Sequence, residues 1–336
     1  MKKNYILIIG SNSFSGTFFI NYLLKKKFKI LAVSRSNDLV NYYSIHKIQK
    51  NSNKNNYLFY KLNINIESDQ NKIISLIKKY KVNKIINFAA QGMVKQSWDY
   101  PLDWYKTNFM SQVTLFEKFL KLNQLNKIIN FTTPEVYGST KGWINEKTPF
   151  NPSTPYAISR SSLDYHLSAY FKQYNLPIVF TRTSNVYGPG QPLYRIIPRA
   201  IYSAYFSKKM FLDGGGVSKR SFIYMEDVNE ALYSILFDKN NHGETFHIST
   251  NKLISIKFLV KNIFKKLDNN FNEFVISSEE RAGKDHVYSL SSAKIRKKYG
   301  WIDNISLDKG IDSTISWFKD FSTTLKKANL NYNHKR

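Results

Sequence analysis

Cysteine is absent from the 336 residues, which excludes disulfides, thiol nucleophiles and thiolate metal sites and fits the expected cytoplasmic location. No apolar run approaches the roughly 20 residues needed to cross a bilayer, so no membrane span is expected. The apolar stretch Tyr5 to Ile9, behind Lys2 and Lys3, is too short for a secretory leader. It runs into a glycine turn without a cleavage site and reads as a first strand. The six histidines show no spacing such as H-x-x-x-H, so no metal is expected. Acidic residues are scarce: 24 against 50 Lys and Arg, a formal net charge of +26. Clustered charge of that size would suggest nucleic acid. Here it is spread along the whole chain among Asn, Ile, Tyr and Phe, the pattern of a solvated basic surface. Nucleic acid is therefore not the expected partner, although part of the charge can steer an anionic substrate.

What is present is ample core material, with 42% of residues hydrophobic and 15% aromatic. Strand-like runs recur at Tyr5 to Ile9, Lys29 to Val33, Tyr57 to Leu62, Lys84 to Phe88, Lys127 to Phe131 and Ile178 to Arg182. Each is followed by a segment long enough for a crossover helix, including Phe14 to Lys26, Asp69 to Tyr80, Asp103 to Leu122 and Tyr156 to Tyr174. This alternation predicts an α/β fold, a doubly wound parallel Rossmann sheet, with a smaller C-terminal substrate-binding lobe. Residues 1–186 are expected to form the dinucleotide-binding domain. Strand-like Ser221 to Tyr224 and Thr245 to Ile248 should return residues 221–250 to that sheet or its edge. Residues 187–220 and 251–330 are expected to build the lobe and 331–336 a tail, with fraying from Lys326 onward.

Directly after the first run comes Gly10-Ser11-Asn12-Ser13-Phe14-Ser15-Gly16, opening a helix. Such a turn lets backbone approach a pyrophosphate, whose charge then sits at the helix N-terminus. The middle glycine of the usual fingerprint is Ser13, a small residue. Gly10, Asn12, Ser13, Phe14 and Gly16 are thus candidate cofactor contacts. An acidic residue after the second strand would bind a ribose 2'-hydroxyl, whereas Arg suits a 2'-phosphate. Ser34-Arg35-Ser36 stands there, favouring NADP with NAD also open. Asn63, after the third strand, is placed to reach the adenine.

Asn151-Pro152-Ser153-Thr154-Pro155-Tyr156-Ala157-Ile158-Ser159-Arg160 reads as a loop, an N-cap at Ser153 or Thr154, proline at the first helical position, then helix. Tyr156 and Arg160, four apart, share a face. A cation beside the phenol favours phenolate, so Tyr156 is expected to be drawn from its ordinary value near 10 toward working pH, where it can accept a sugar-hydroxyl proton.

Together with Asn87-Phe88-Ala89-Ala90-Gln91, Thr133-Pro134-Glu135-Val136-Tyr137-Gly138, Asn185-Val186-Tyr187-Gly188-Pro189, Arg220-Ser221-Phe222-Ile223 and Arg281-Ala282-Gly283, these segments make the chain resemble the extended short-chain dehydrogenase/reductases. Within them it resembles the nucleotide-sugar 4,6-dehydratases over essentially its full length. The resemblance implies a homodimer that recycles a tightly bound nicotinamide dinucleotide and converts an NDP-hexose to an NDP-4-keto-6-deoxyhexose. Ala89 would join the cofactor contacts. Thr133 would hold the sugar O4, Tyr156 would remove its proton, and Glu135 would take the C5 proton before water leaves from C6. Asn185, Arg195, Arg220 and Arg281 would grip the nucleoside diphosphate, because Arg matches phosphate oxygens bidentately. Two positions depart from the pattern. The family usually has Lys where Arg160 stands, and Arg cannot join a proton relay. Many dehydratases place Asp before the Glu, where this chain has Pro134, so Glu135 would serve both base and acid steps on one face, as in the GDP-mannose dehydratases, which also lack that Asp. Two alternatives stand beside this reading. One is a 4-epimerase or reductase on the same scaffold, which Glu135 argues against; the other is a non-catalytic dinucleotide sensor or nucleic-acid-binding protein.

Overall fold

The computed structural model describes residues 4–50, 56–279 and 289–334. Seven strands, β1 (Tyr5–Ile9), β2 (Lys29–Ser34), β3 (Tyr57–Lys61), β4 (Lys84–Asn87), β5 (Lys127–Thr132), β6 (Ile178–Thr183) and β7 (Thr245–Ile248), pair in parallel in the spatial order β7-β6-β5-β4-β1-β2-β3. Their sequences are apolar at consecutive positions because both faces are covered. Ile6, Ile8, Ile30, Ile86 and Ile129 feed one cluster, and Leu7, Ile9, Leu31, Ile85 and Ile128 feed the other. Helices α1 (Phe14–Lys25) and α5 (Met225–Phe237) close the first face through Phe19, Leu23, Leu232 and Ile235. Helices α2 (Glu67–Lys79), α3 (Ser111–Leu120) and α4 (Pro155–Tyr174) close the second through Ile73, Phe116 and Leu163.

Four local features differ from the sequence expectation. Between β2 and β3 there is no long crossover helix among the described residues, only a turn at Asn41–Tyr43 and a four-residue helix at Ile45–Ile48. The rod expected from Asp103 to Leu122 is interrupted: Pro101–Tyr105 runs into a five-residue π-turn, Lys106–Met110, before α3. Such turns recur at functional sites, and this one carries the fully buried Asn108. Of the two segments expected at the sheet, Thr245–Ile248 is its edge strand β7, whereas Phe222–Tyr224 pairs in parallel with Asn185–Tyr187 beyond the end of β6. Finally, residues 326–334 are fastened rather than frayed. Tyr202 and Arg199 donate to the carbonyls of Lys326 and Leu330, at 3.3 and 3.1 Å.

A third cluster, including Ile197, Ile201, Leu259, Phe264, Ile311 and Phe318, belongs to the helices Ile196–Tyr205, Ile256–Lys266 and Leu307–Asp320. It flanks the C-terminal ends of the strands. Residues 289–301 lie apart from it: Ser289–Leu290 pairs with Trp143–Ile144, and Ile295 and Trp301 pack with α1 and α5.

Strand β1 has β2 on one side and β4 on the other, so the chain connections diverge there and leave a crevice above the strand ends. Gly10 turns the chain with φ +76°, and a Cβ on it would lie 2.6 Å from the Ala89 amide nitrogen. Only glycine allows the first turn to touch the chain leaving β4. Gly10→Ala should lower the urea-unfolding stability by about 3 kcal/mol through strain and overpacking; an unchanged midpoint would show that this contact is not as close as the structure has it.

Candidate active site

A cleft of about 1090 Å³ runs from the glycine turn across the ends of β4, β5 and β6 to the third cluster. The structure brings to it Gly10, Asn12, Ser13, Phe14, Arg35, Asn63 and Ala89 at one end, Thr133, Glu135, Tyr156 and Arg160 in the middle with Arg195 beside Gly92, and Asn185 and Arg220 at the other. Gly16 stands behind the turn, where a Cβ would meet the Gly10 carbonyl oxygen at 2.6 Å. Arg281 lies outside the described residues.

Ser13 explains how the turn manages without its middle glycine. Its backbone is extended, with φ −68° and ψ 155°, a conformation any residue adopts, and its hydroxyl caps α1 by accepting from the Gly16 amide at 3.0 Å. The Phe14 and Ser15 amides, in the first turn, have no intrahelical acceptor and stand at the cleft. Asn12 clamps the turn to the segment after β2, donating to Ser36 Oγ at 3.0 Å and the Asn37 carbonyl at 2.8 Å. Arg35 therefore sits beside the turn, with Nη2 3.4 Å from Gln91 Oε1. The nearby carboxylate Asp38 is committed elsewhere, to Lys47 at 2.7 Å and the Tyr57 hydroxyl at 3.2 Å. Asn63 lines the wall, its Oδ1 accepting from the Asn65 amide at 3.0 Å.

Thr154 is the N-cap of α4, accepting from the Ala157 amide at 3.1 Å, with Pro155 in the first turn. One turn apart, Tyr156 and Arg160 are both buried. The phenol does not sit below its ordinary value as the sequence suggested. Burial raises its pKa first and Glu135 adds to that, outweighing the pull of Arg160, a hydrogen bond with Thr133, and Arg195. Removing a phenolate from water costs more here than the cations return. Arg160 Nη2 donates to the Phe131 carbonyl at 2.6 Å, while its Nε and Nη1 are buried with no hydrogen-bond partner. Thr133 begins the 3-10 turn Pro134–Tyr137 as its N-cap, and its hydroxyl donates to Glu135 Oε2. Phenol, hydroxyl and carboxylate thus form one contiguous group.

Behind that group runs a buried polar chain that sequence reasoning missed. Asn87 on β4 donates to Asn130 on β5 at 3.1 Å, and Asn130 donates to Asp164 on α4 at 3.3 Å. Asp164 accepts from Thr132 at 3.1 Å and from Arg182 on β6 at 2.8 Å, and Arg182 donates to the Tyr137 hydroxyl at 3.1 Å. Tyr137 Oη lies 2.8 Å from Nε2 of His247 on β7. Two signals marked this chain: a lone Arg inside the apolar run Ile178 to Arg182, and an Asp one turn beyond Arg160 on the same helix.

A profile of the GDP-mannose 4,6 dehydratase family matches residues 7–314. The dTDP-D-glucose 4,6-dehydratase of Bos taurus is 30% identical over 291 residues, covering 85% of this chain and 80% of that protein. The chain belongs to this family. It is a nucleotide-sugar 4,6-dehydratase of the extended short-chain dehydrogenase/reductase class, a lyase that works with a nicotinamide dinucleotide. Among solved structures, the Bacillus anthracis dTDP-glucose 4,6-dehydratase in complex with NAD superimposes with a TM-score of 0.84 at 28% identity, covering 95% of this chain and 98% of that one. A Thermotoga maritima UDP-glucose 4-epimerase scores 0.83 at 24% identity over 95% and 99%, a likeness of fold alone. The residues present fit the dinucleotide: the first-turn amides of Phe14 and Ser15 stand at the cleft without intrahelical acceptors, and the orphaned Arg160 N–H groups await an acceptor. Among the described residues no cluster of His, Asp or Glu could hold a metal, and no helix is long and apolar enough to cross a membrane.

His247 adds a pH dependence to the dehydratase fold. Burial, then Arg182, holds its pKa down at about 3 against an ordinary 6.5. The unfolded chain takes up this proton below 6.5 and the folded one does not until about 3, so the contribution is complete above 6.5 and is lost as pH falls between those values. Urea midpoints measured from pH 7 to pH 4 should fall less steeply for His247→Gln than for the parent; parallel curves would contradict this.

Proposed function

We propose that the chain converts an NDP-hexose to the NDP-4-keto-6-deoxyhexose, with Thr133, Glu135, Tyr156 and Arg160 as its reaction centre. The observation that carries this is the contact of Glu135 with Thr133 beside Tyr156: oxidation needs only the phenol and the hydroxyl, whereas elimination needs a carboxylate as well. A bound dinucleotide would supply the acceptor for the C4 hydride and its donor to C6. Tyr156 takes the O4 proton while Thr133 holds O4. The C4 ketone acidifies the C5 hydrogen, Glu135 removes it, and the C6 hydroxyl departs as water carrying a proton from the same carboxyl. Pro134 supplies no second acid, which favours this one-carboxyl route. Hydride return to C6 leaves a carbanion at C5, which is protonated there with the equivalent of the proton that Tyr156 took from O4, so phenolate and carboxylate are both restored while Arg160 keeps its fixed charge beside the phenol. An epimerase would have no use for Glu135.

Arg195 and Arg220 are the proposed diphosphate contacts, with Arg281, and Asn185 a polar one. Arg35 beside the glycine turn supports NADP over NAD, and the nearby carboxylate Asp38 is turned to Lys47 and Tyr57. The lobes divide the work: 1–186 with 221–250 for the dinucleotide, 187–220 with 251–330 for the sugar nucleotide, apart from residues 289–301. Exposed Leu102, Met110 and Tyr165, near and on the helices that cover the second face, support a homodimer. The lack of cysteine supports a cytoplasmic address.

Incubation with dTDP-, GDP-, CDP- and UDP-hexoses, read by mass, should give loss of one water from one of them; clean C4 epimerisation without water loss would overturn the reading. In the same assay Glu135→Gln should slow product formation by about 10²- to 10⁴-fold while reduced dinucleotide accumulates at its nicotinamide absorbance. Arg160→Lys should retain turnover and Arg160→Ala lose most of it, and near-normal turnover by the alanine variant would remove Arg160 from the reaction centre.

A further inference from the structure

The reaction sets a demand that the glycine turn and the strand ends do not meet by themselves. Hydride taken from C4 has to return to the same sugar, so a cofactor that leaves in mid-cycle strands a ketone. The glycine turn and Arg35 form the floor of the dinucleotide end, and the question is what closes its open side.

Residues 326–334 cross that side. They leave the third cluster at Ala328 and Leu330, which pack on it, with the Leu330 carbonyl held by Arg199. Asn329, Asn331, Tyr332 and Asn333 then line the cleft itself. Asn329 shapes the crossing: its Oδ1 accepts from the Asn331 amide at 2.9 Å and its Nδ2 donates to Asn333 Oδ1 at 3.1 Å. The Tyr332 hydroxyl donates to Gln91 Oε1 at 3.0 Å, the oxygen that also faces Arg35, and its ring stands edge-on to Tyr194 at 5.4 Å. Beyond the cleft, His334 lands on the dinucleotide side. Its ring stacks on Tyr100 and Trp104, with centroids 4.8 and 5.0 Å away, and its Nε2 meets Asp103 Oδ2 at 2.7 Å.

We propose that residues 329–334 are a strap that closes the dinucleotide end of the cleft and retains the cofactor through the catalytic cycle, with Tyr332 and His334 as its fastenings. The proposal rests on the dinucleotide reading of that end. Its anchor point is rigid. Gln91 exchanges two backbone hydrogen bonds with the buried Asn108, at 2.7 and 3.0 Å, and Asn108 also donates to Ser159 at 3.1 Å, next to Arg160. The strap is therefore tied through Gln91 to the helix that carries the reaction centre. The fastenings are aromatic and polar contacts of a kind that can be released and remade, as exchange of a spent cofactor requires.

The test uses the full chain loaded with NADPH or NADH, with release followed by the fall in nicotinamide fluorescence on adding excess oxidised dinucleotide. Loss of two hydrogen bonds and the ring stacks should speed release by roughly tenfold to a hundredfold in the Tyr332→Ala/His334→Ala double variant. Tyr332→Phe, which keeps the ring against Tyr194, should fall between it and the parent. The double variant should also lose turnover on dilution and regain it with added dinucleotide, at an unchanged KM for the sugar nucleotide. Equal release rates in the three proteins would overturn the strap while leaving the dinucleotide reading intact. A parent protein that binds neither nucleotide would overturn both.

Discussion

The proposed reaction centre hangs on the buried pairing of Arg182 with Asp164. Arg182 comes from β6, Asp164 from α4, and each reaches a further element: Asp164 holds Asn130 and Thr132 of β5, and Arg182 holds Tyr137. A buried ion pair of this kind contributes little net stability, yet removing one partner costs about 3–5 kcal/mol, because the other is left charged and dry. Its value is geometric. It sets Tyr137, two residues from Glu135, against β6 and β7, and it sets α4, which carries Tyr156 and Arg160, against β5. Without it the carboxylate and the phenol would belong to two loosely related surfaces.

The same burial that sharpens the geometry works against the chemistry. Tyr156 lies where its phenolate is poorly solvated, so Arg160 and Arg195 moderate its basicity and do not overcome the cost of burial. Counting charges along a helix finds the cation four residues away but cannot weigh it against desolvation, which depends on everything packed around the ring. Arg160 carries a second demand. One of its nitrogens is spent on the Phe131 carbonyl, and the two left without partners in the protein define how a ligand must present its acceptors.

Much of the architecture was legible because parallel strands covered on both faces leave unbroken apolar runs, and Gly10, Pro155 and the cap Thr154 mark where those runs turn into helices. Six of the seven strands could be read in that way, and the seventh, Thr245–Ile248, was seen only as returning to the sheet or its edge. The cleft residues lay in short motifs at strand ends and were equally readable. What could not be read were features with non-local causes. Asn108 looks like an ordinary helical residue until the π-turn buries it against Gln91. Asp164 and Arg182 are 18 residues apart and pair only because α4 doubles back on β6. Tyr332 and His334 lie in an Asn-rich segment whose composition suggests fraying, and what orders them is Gln91, Tyr100, Trp104 and Asp103, far away in the chain.

The path of the chain between its two halves has a mechanical consequence. It passes from the sheet to the third cluster after β6, returns for α5 and β7, crosses again for Ile256–Lys266, comes back for residues 289–301, leaves for Leu307–Asp320 and returns at His334. A jaw joined by one or two strands can swing about them as a hinge. A body stitched this often resists swinging, and the displacements left to it are small sliding shifts of packed helices. Turnover in such a molecule would draw on alignment already built into the resting protein, with ligand passage managed by local peeling at the rim rather than by parting of the halves.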